Sequence, residues 1–200
     1  MANHQVYIIH GYGASPAHHW FPWLAQQLKQ QDIQVAIPAL PAPEHPVKEE
    51  WDQYLQSTIG IPNEQTYFVA HSLGCIALLD YLQQLEPLPH IGGLILVSGF
   101  SCAVPGYSLI NPFIAHALKA DSIISMAPRR LVIAARNDHT VPYELTEQLA
   151  SSLEASFVLL EQGGHFLGSD DCTSFELVYE QLKKMLTTSA MDQVNDQMIS

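Results

Sequence analysis

The sequence predicts a doubly wound α/β domain, with a mostly parallel six-stranded sheet and helices on both of its faces. Three observations favour this fold class. Six short segments are apolar throughout, whereas a strand with one solvated face would alternate apolar and polar residues. Segments of helical period separate these apolar runs along the chain. The chain has 200 residues, of which 48% are hydrophobic, and this is enough for one domain with a full core.

The first half of the chain alternates strands and helices. Each strand is a β-branched apolar run bounded by Gly, Pro or polar residues, and each helix has apolar residues three or four positions apart. In order, we predict a strand at 5–10, a helix at 18–31, a strand at 33–38, a helix at 47–59, a strand at 66–70, a helix at 73–85 and a strand at 94–98. A proline-rich loop at 38–46 follows the second strand.

The middle of the chain, 99–128, is the least regular part, since Pro, Gly and Ser are scattered through it. We interpret it as a cap-like segment with one helix at 112–119. Regular elements then resume with a strand at 131–135, a helix at 142–153 that opens at a proline, a strand at 156–160 and a helix at 175–186. We therefore expect a single domain at 1–186 and a polar, disordered tail at 187–200.

Composition and charge exclude several classes of protein. Eight Lys and Arg against twenty Asp and Glu give a net charge of −12, which is unsuited to binding nucleic acid. Nor does any apolar stretch approach the roughly 18–20 residues of a membrane span. The three cysteines are far apart in the sequence and form no Cys-x-x-Cys pair. We therefore expect free thiols, no metal site, and a cytoplasmic location, because the first residues also lack a secretory signal.

A reactive serine is indicated at the end of the third strand, where Ala70-His71-Ser72-Leu73-Gly74 runs directly into a helix. This pattern is close to the G-x-S-x-G nucleophile elbow, a tight strand-to-helix turn that exposes a serine above the sheet. Small flanking residues are needed because the turn brings neighbouring backbones together, and Ala70 replaces the first glycine of the motif. The alternative is that Ser72 merely caps the helix.

An acid and a histidine follow two later strands. Asp138 comes after the fifth strand, and His165 comes after the sixth, behind a Gly-Gly pair that permits an unusual backbone path. Taken singly, Asp138 is typical of a turn and His165 of a solvated loop. Serine, acid and histidine in this order, each after a separate strand, are typical of α/β hydrolases. We therefore predict a catalytic triad of Ser72, Asp138 and His165.

The end of the first strand, His10-Gly11-Tyr12-Gly13, predicts the remaining part of such a site. In this type of site, an amide from an early loop and the amide after the nucleophile form the oxyanion hole. We assign that role to the backbone N–H groups of Tyr12 and Leu73, although a plain glycine turn would give the same sequence. The residues predicted to line the pocket are His10, Gly11, His71 and Trp20. For Trp20, the favoured alternative is that it packs the first helix.

Other residues compete for these roles. His139 is an alternative base, but it is adjacent to Asp138, and neighbouring residues seldom form the linear relay that is required. Asp170 and Asp171 are alternative acids, although they are more simply interpreted as a surface N-cap for the last helix. His71 is too close to Ser72 in sequence to be the base, so it is structural or lines the pocket.

The motifs together resemble a known family. Residues 10–24 (HGYGASPAHHWFPWL), 70–74 (AHSLG), 138–142 (DHTVP) and 164–165 are similar to the small serine hydrolases related to retinoblastoma-binding protein 9 and bacterial YdeN. The resemblance extends over nearly the whole predicted domain and is loosest at 99–128. It implies a compact α/β-hydrolase fold with a Ser-His-Asp triad, here Ser72, His165 and Asp138.

The sequence therefore predicts a serine hydrolase that cleaves carboxylic ester, amide or thioester bonds of small acyl substrates through an acyl-enzyme intermediate. We expect no cofactor, no nucleic acid and no membrane among its partners, while a protein partner is left unspecified. The alternative is a non-catalytic protein-interaction module on a hydrolase fold, because a fold alone does not guarantee a function.

Overall fold

Strands and helices alternate along the chain, in the order that the sequence predicts. The structure is a computed structural model that describes residues 4–199, with side chains described for residues 4–187. Its strands are β1 (Gln5–Ile9), β2 (Gln34–Ala36), β3 (Thr66–His71), β4 (Gly93–Val97), β5 (Arg130–Ala135) and β6 (Ser156–Leu160). Its α-helices are α1 (Phe21–Lys29), α2 (Lys48–Ile59), α3 (Leu73–Gln83), α4 (Ala120–Met126), α5 (Tyr143–Ser152) and α6 (Glu176–Ile199).

The six strands form one parallel sheet in the order β2-β1-β3-β4-β5-β6. The chain winds from β1 outward to β2 and then returns to the other side of β1, so the order reverses between β1 and β3. Ligand sites of open parallel sheets lie at such a reversal, outside the carboxyl ends of the strands. The register places Ile9 beside Ala70 and His71 beside Val97, so β1, β3 and β4 end close together. The predicted fold class is confirmed.

Helices cover both faces of the sheet and bury two apolar clusters. On one face, α1 and α6 pack against side chains that include Ile8 and Ile95. On the other face, α2, α3, α4 and α5 contribute to a cluster that includes Phe68 and Leu96. Every residue of β3 and β4 is buried as a result, which explains why these strands are apolar at consecutive positions. The low charge of the chain therefore follows largely from the fold.

The helix predicted at 112–119 is wrong. A 3₁₀ helix spans Ser108–Ile114, and the α-helix of this segment, α4, begins only at Ala120. Tertiary contacts account for the difference. The ring of Phe113 packs edge-on against Trp51, with centroids 5.2 Å apart, and the Lys119 N–H donates to the Gln83 side chain at 2.8 Å. Helical periodicity along the chain does not reveal contacts of this kind.

The first helix is shorter than predicted, because it begins at Phe21 and not at residue 18. His19 has a positive φ of 55°, which is incompatible with a right-handed helix. Its ring Nδ1 accepts a hydrogen bond from the Gly168 N–H at 2.9 Å, which ties this loop to the loop after β6. The segment predicted as a polar, disordered tail is 187–200, whereas α6 continues to Ile199. Apart from Thr187, its side chains lie outside those described. Among the helices described, none is both long and apolar enough to traverse a bilayer.

Candidate active site

Ser72 occupies a sharp turn between β3 and α3. Its backbone has φ 54° and ψ −127°, a strained conformation for any residue with a side chain. The Ser72 N–H donates to the Val97 carbonyl at 2.9 Å, and the Ser72 carbonyl accepts the Cys75 N–H at 2.9 Å, so both sides of the turn are fixed. The Ser72 side chain makes no capping hydrogen bond to α3. Ser72 therefore occupies the N-cap position of α3 without capping the helix through its side chain.

Two glycines allow the end of β1 to lie directly against this turn. A Cβ atom at Gly74 would be 2.3 Å from the His10 carbonyl oxygen and 2.7 Å from that of Ile9. A Cβ atom at Gly11 would be 3.0 Å from Ser72 Cβ and 3.2 Å from the Leu73 nitrogen. The small residues of the elbow motif are therefore required by contact between two backbones.

Gly74→Ala is expected to lower the free energy of unfolding by about 1–3 kcal/mol, because an added methyl group forces these backbones apart. Without that contact, alanine in a helix would stabilise the protein relative to glycine. Denaturant titration measures the change. Gly168→Ala is a matched control, since a Cβ atom there has an ordinary 3.8 Å contact with His19 Nδ1. Equal stability of the two variants would contradict the packing described.

The structure brings Ser72, His165 and Asp138 together in one hydrogen-bonded chain. His165 Nε2 lies 2.9 Å from Ser72 Oγ, and His165 Nδ1 lies 2.8 Å from Asp138 Oδ2. Because an ionised carboxylate only accepts hydrogen bonds, Nδ1 carries the imidazole proton and Nε2 is left to accept one from the serine. The side chains of His165 and Asp138 are 4% and 1% exposed. The alternative base, His139, is exposed, and His165 is the histidine that bonds to Ser72.

The Asp138 carboxylate is held by four hydrogen bonds. Its Oδ2 accepts from His165 and from the Ser98 hydroxyl at 2.9 Å. Its Oδ1 accepts from the Thr140 and Val141 N–H groups, each at 2.9 Å. Burial alone would raise the pKa of Asp138, but the interaction with His165 and the two amides outweighs burial and holds the pKa below its usual value. This residue is therefore a fixed anion beside the imidazole.

Ser98 also supports the site, although it was not among the residues predicted from the sequence. Its hydroxyl donates to Asp138, it is fully buried, and its φ is 48°. The available signal was its position as the polar residue that ends the apolar fourth strand, next to the strand that carries Ser72. Because the carboxyl ends of adjacent parallel strands share one edge, such a residue is a candidate for the same site.

Asp170 holds the backbone of the loop that carries His165. One carboxylate oxygen, Oδ2, accepts the His165 N–H at 2.9 Å and the Leu167 N–H at 3.1 Å. From the other side, the Asn137 side chain accepts the Gly164 N–H at 3.0 Å. The alternative assignment of Asp170 as the acid is not supported by these contacts, because its carboxylate bonds to backbone amides. It does not cap the last helix either, since α6 begins at Glu176.

His71 lies behind His165, with the ring centroids 4.9 Å apart. Its Nε2–H donates to the His165 carbonyl oxygen at 2.8 Å, and its Nδ1 is buried without a hydrogen-bond partner among the described residues. Burial lowers the pKa of His71 well below its usual value, and the nearby His165, His19 and His10 act in the same direction. His71 is therefore a neutral support for the histidine of the site.

We expect His71→Gln to reduce the acid sensitivity of stability. The unfolded chain protonates this histidine at about pH 6.5 and the folded chain does not, so its contribution is present above that pH and is lost as the pH falls below it. Glutamine carries no titrating group and can still donate a hydrogen bond to the His165 carbonyl. Denaturant titrations at pH 8 and pH 5 measure the loss of stability. Equal losses in wild type and variant would contradict the expectation.

The other predicted pocket residues also support the site from behind. His10 is fully buried; its Nδ1–H donates to the Gly11 carbonyl at 3.0 Å, and its Nε2 accepts the Leu40 N–H at 3.1 Å. Trp20 is fully buried as well, edge-on to His71 and Phe175. The prediction that these side chains line a pocket is corrected for His10, His71 and Trp20, because they expose almost no surface. Gly11 is buried as well, and a Cβ atom added to it would lie 3.0 Å from Ser72 Cβ.

The backbone nitrogen of Leu73 lies close to Gly11, the residue that precedes Tyr12. Gly11 contacts both Ser72 and the Leu73 nitrogen, so the residue after Gly11 begins beside the turn. Among the described residues, neither amide donates a hydrogen bond to another backbone group outside regular elements. Leu73 is the first residue of α3, where the helix dipole adds partial positive charge.

Cysteines take no part in this arrangement. Cys75 is buried beside the turn, its thiol lies 3.5 Å from the Val97 carbonyl, and burial raises the pKa of that thiol. Cys102 and Cys172 are also free thiols. Within the described part of the chain, no group of three or more His, Cys, Asp or Glu residues is placed to hold a metal ion.

A parallel sheet with helices on both faces and a serine on a strained strand-to-helix turn defines an α/β hydrolase. Comparison with known proteins gives a narrower assignment: residues 6–184 match the serine hydrolase family, and the chain belongs to it. It is 40% identical over 178 residues to the hydrolase YdeN of Bacillus subtilis (strain 168), a match that covers 89% of this chain and 94% of that protein.

Solved structures agree with this assignment. The crystal structure of the B. subtilis ydeN gene product superimposes with a TM-score of 0.90 at 39% identity, covering 92% of this chain and 100% of that one. Est1E from Butyrivibrio proteoclasticus gives a TM-score of 0.70 at 13% identity, covering 94% of this chain and 89% of that one. The second likeness shows the fold alone. The predicted membership of a YdeN-related serine hydrolase family is confirmed.

Proposed function

We propose that this hydrolase cleaves carboxylic ester bonds of small acyl substrates, with Ser72 as nucleophile, His165 as base and Asp138 as the orienting acid. The observation that carries the proposal is the continuous hydrogen-bonded chain from Ser72 Oγ through His165 to Asp138, with links of 2.9 and 2.8 Å. The three residues come from loops that follow three different strands, β3, β5 and β6. Thioester and amide bonds would react by the same chemistry.

In the proposed mechanism, Ser72 Oγ attacks the carbonyl carbon of the ester while His165 Nε2 takes the hydroxyl proton. His165 then gives this proton to the leaving alcohol, and an acyl-enzyme on Ser72 remains. A water molecule, deprotonated by His165, attacks the acyl carbon, and the acid is released. Asp138 stays ionised throughout; it keeps the imidazole in the productive tautomer and stabilises the imidazolium.

Negative charge develops on the carbonyl oxygen in both tetrahedral intermediates. We assign its stabilisation to the N–H groups of Tyr12 and Leu73, each worth about 2.7–4 kcal/mol in comparable sites. This assignment is supported by the close approach of Gly11, which precedes Tyr12, to the turn: a Cβ atom added there would lie 3.0 Å from Ser72 Cβ and 3.2 Å from the Leu73 nitrogen. Donors that are already in place need not reorient when the charge forms on the oxygen, and this is why they lower the activation free energy.

Cell compartment and partners follow from composition. We propose a cytoplasmic protein, because its three cysteines are free thiols, as is usual in a reducing compartment. The proposed partner is a small uncharged acyl compound, and the net charge of −12 argues against nucleic acid.

The proposed function is tested by turnover of p-nitrophenyl acetate and butanoate, with matched thioesters and anilides as further substrates. We expect ester turnover that begins with a burst of about one nitrophenol per chain if release of the acyl group is slow. Heat-denatured protein is the control for spontaneous hydrolysis. Failure to turn over any of these substrates above that control would contradict the proposal and favour the non-catalytic interaction module.

A further inference from the structure

Two exposed tyrosines meet beside the candidate site. Tyr12 is 38% exposed and Tyr107 is 36% exposed, although both side chains are large. Their ring centroids are 6.5 Å apart and the ring planes are inclined by 74°, an edge-to-face geometry. Leu109, 50% exposed, follows shortly after Tyr107 at the start of the 3₁₀ helix Ser108–Ile114. An exposed apolar surface therefore accompanies the tyrosine pair.

Topology places the two loops that carry this pair on either side of Ser72. Tyr12 belongs to the loop after β1, and Tyr107 belongs to the segment after β4. In the sheet, β3 lies between β1 and β4, and Ser72 directly follows β3. The two loops therefore flank Ser72 from opposite sides, and the rings that join them span the same edge of the sheet. Gly11, which precedes Tyr12, already contacts Ser72.

One carboxylate, that of Glu44, lies next to Gly13, the residue after Tyr12. The position of a Cβ atom on Gly13 would be 3.4 Å from Glu44 Oε2, and the Gly13 N–H donates to the Pro43 carbonyl at 2.9 Å. Glu44 is exposed, and among the described residues no Lys, Arg or His forms an ion pair with it. Lys48, four residues further on, is engaged with Asp52 and Asp80 at 2.6 and 3.1 Å. No ion pair among the described residues therefore compensates the negative charge of Glu44.

We propose that Tyr12 and Tyr107 form an aromatic clamp that binds the flat ring of an ester substrate with an aromatic group, and that Glu44 excludes substrates whose ring carries a negative charge. This inference rests on the proposed function, since the clamp positions an ester at Ser72. Aromatic rings attract one another in edge-to-face and offset arrangements beyond the gain from apolar area. A third ring can therefore bind to the exposed faces of the pair more strongly than a saturated ring of equal size.

Esters that differ only in aromaticity test the clamp. The first pair is ethyl 3-phenylpropanoate and ethyl 3-cyclohexylpropanoate, and the second is benzyl acetate and cyclohexylmethyl acetate. Hydrolysis of each ester is measured in a pH-stat as the release of acid. In at least one pair, kcat/KM for the ester with the aromatic ring is expected to be roughly 3- to 10-fold higher than for its saturated counterpart. Tyr107→Leu should bring that ratio close to unity, because leucine is apolar without being aromatic, whereas Tyr107→Phe should retain it.

Leu88→Ala is the matched control for exposure, since Leu88 is 42% exposed and precedes β4 at the opposite edge of the sheet. It should leave the aryl preference at its wild-type value. Turnover of ethyl butanoate separates the clamp from the proposed function. If ethyl butanoate is hydrolysed through Ser72 and neither pair shows an aryl preference, the clamp is wrong and the proposed function stands. If no ester is hydrolysed, both are wrong.

The role of Glu44 is tested by comparing a charged with an uncharged substrate. The kcat/KM for ethyl 3-(4-carboxyphenyl)propanoate should be lower than that for ethyl 3-phenylpropanoate, because the ring of the first ester carries a carboxylate. Glu44→Gln should narrow this difference at low ionic strength, and added salt should narrow it in wild type. A difference that is the same in wild type and Glu44→Gln would overturn the role of Glu44.

Discussion

Replacing Ser72 with alanine is expected to lower kcat for ester hydrolysis by about 10⁶-fold, the loss seen when the nucleophile of a serine hydrolase is removed. Without Oγ there is no acyl-enzyme, and His165 Nε2 loses the group that it holds at 2.9 Å. The turn itself should persist, because its backbone bonds to Val97 and Cys75 do not involve the hydroxyl.

Steady-state rates with p-nitrophenyl esters measure the effect of Ser72→Ala. Ser151→Ala is the matched control, since Ser151 lies exposed on α5, where its hydroxyl donates only to the Glu147 carbonyl. We expect full activity from the control and a circular dichroism spectrum like that of wild type from both variants. A folded Ser72→Ala protein that retains more than about a tenth of wild-type kcat/KM would exclude Ser72 as nucleophile.

Asp138→Asn is expected to reduce kcat by about 10⁴-fold with little change in fold, as for the corresponding acid in other triads. The structure gives the reason. Thr140 and Val141 N–H groups donate to Oδ1, so an asparagine must place its carbonyl oxygen there. Its NH₂ group then faces His165 Nδ1 and donates to it. The imidazole proton is forced onto Nε2, which can no longer accept a proton from Ser72.

Asp171→Asn is the control for Asp138→Asn, because Asp171 is exposed and lies beside the loop of His165 without bonding to the imidazole. We expect wild-type kcat from this variant. Near-normal kcat in Asp138→Asn would mean that another carboxylate orients the histidine, and Asp170→Asn would then be the variant to compare. Thermal unfolding of each variant shows whether a loss of activity reflects a loss of stability.

Much of this fold could be predicted from the sequence because its signals are local. A strand covered on both faces must be apolar at consecutive positions, and the runs at 66–70 and 94–98 show that directly. The elbow could be located for a similar reason, since close contact of two backbones allows only small residues at Gly74. Chain order then indicated which acid and which histidine could meet Ser72.

What could not be predicted depends on contacts between distant parts of the chain. The support of His165 by His71 and Asp170 depends on how the loop after β6 folds back on β3. The 3₁₀ helix that replaces the helix expected at 112–119 is fixed by Phe113 against Trp51. Trp20 could have faced a pocket or the core, and only the packing of α6 decides for the core.

The central claim is that Ser72 is the nucleophile, and covalent labelling tests it most directly. Wild-type protein is treated with a fluorophosphonate probe, digested, and the modified peptide is located by mass spectrometry. We predict one adduct per chain, on Ser72, and no adduct in Ser72→Ala under the same conditions. An adduct on any other side chain, or wild-type labelling of Ser72→Ala, would contradict the account.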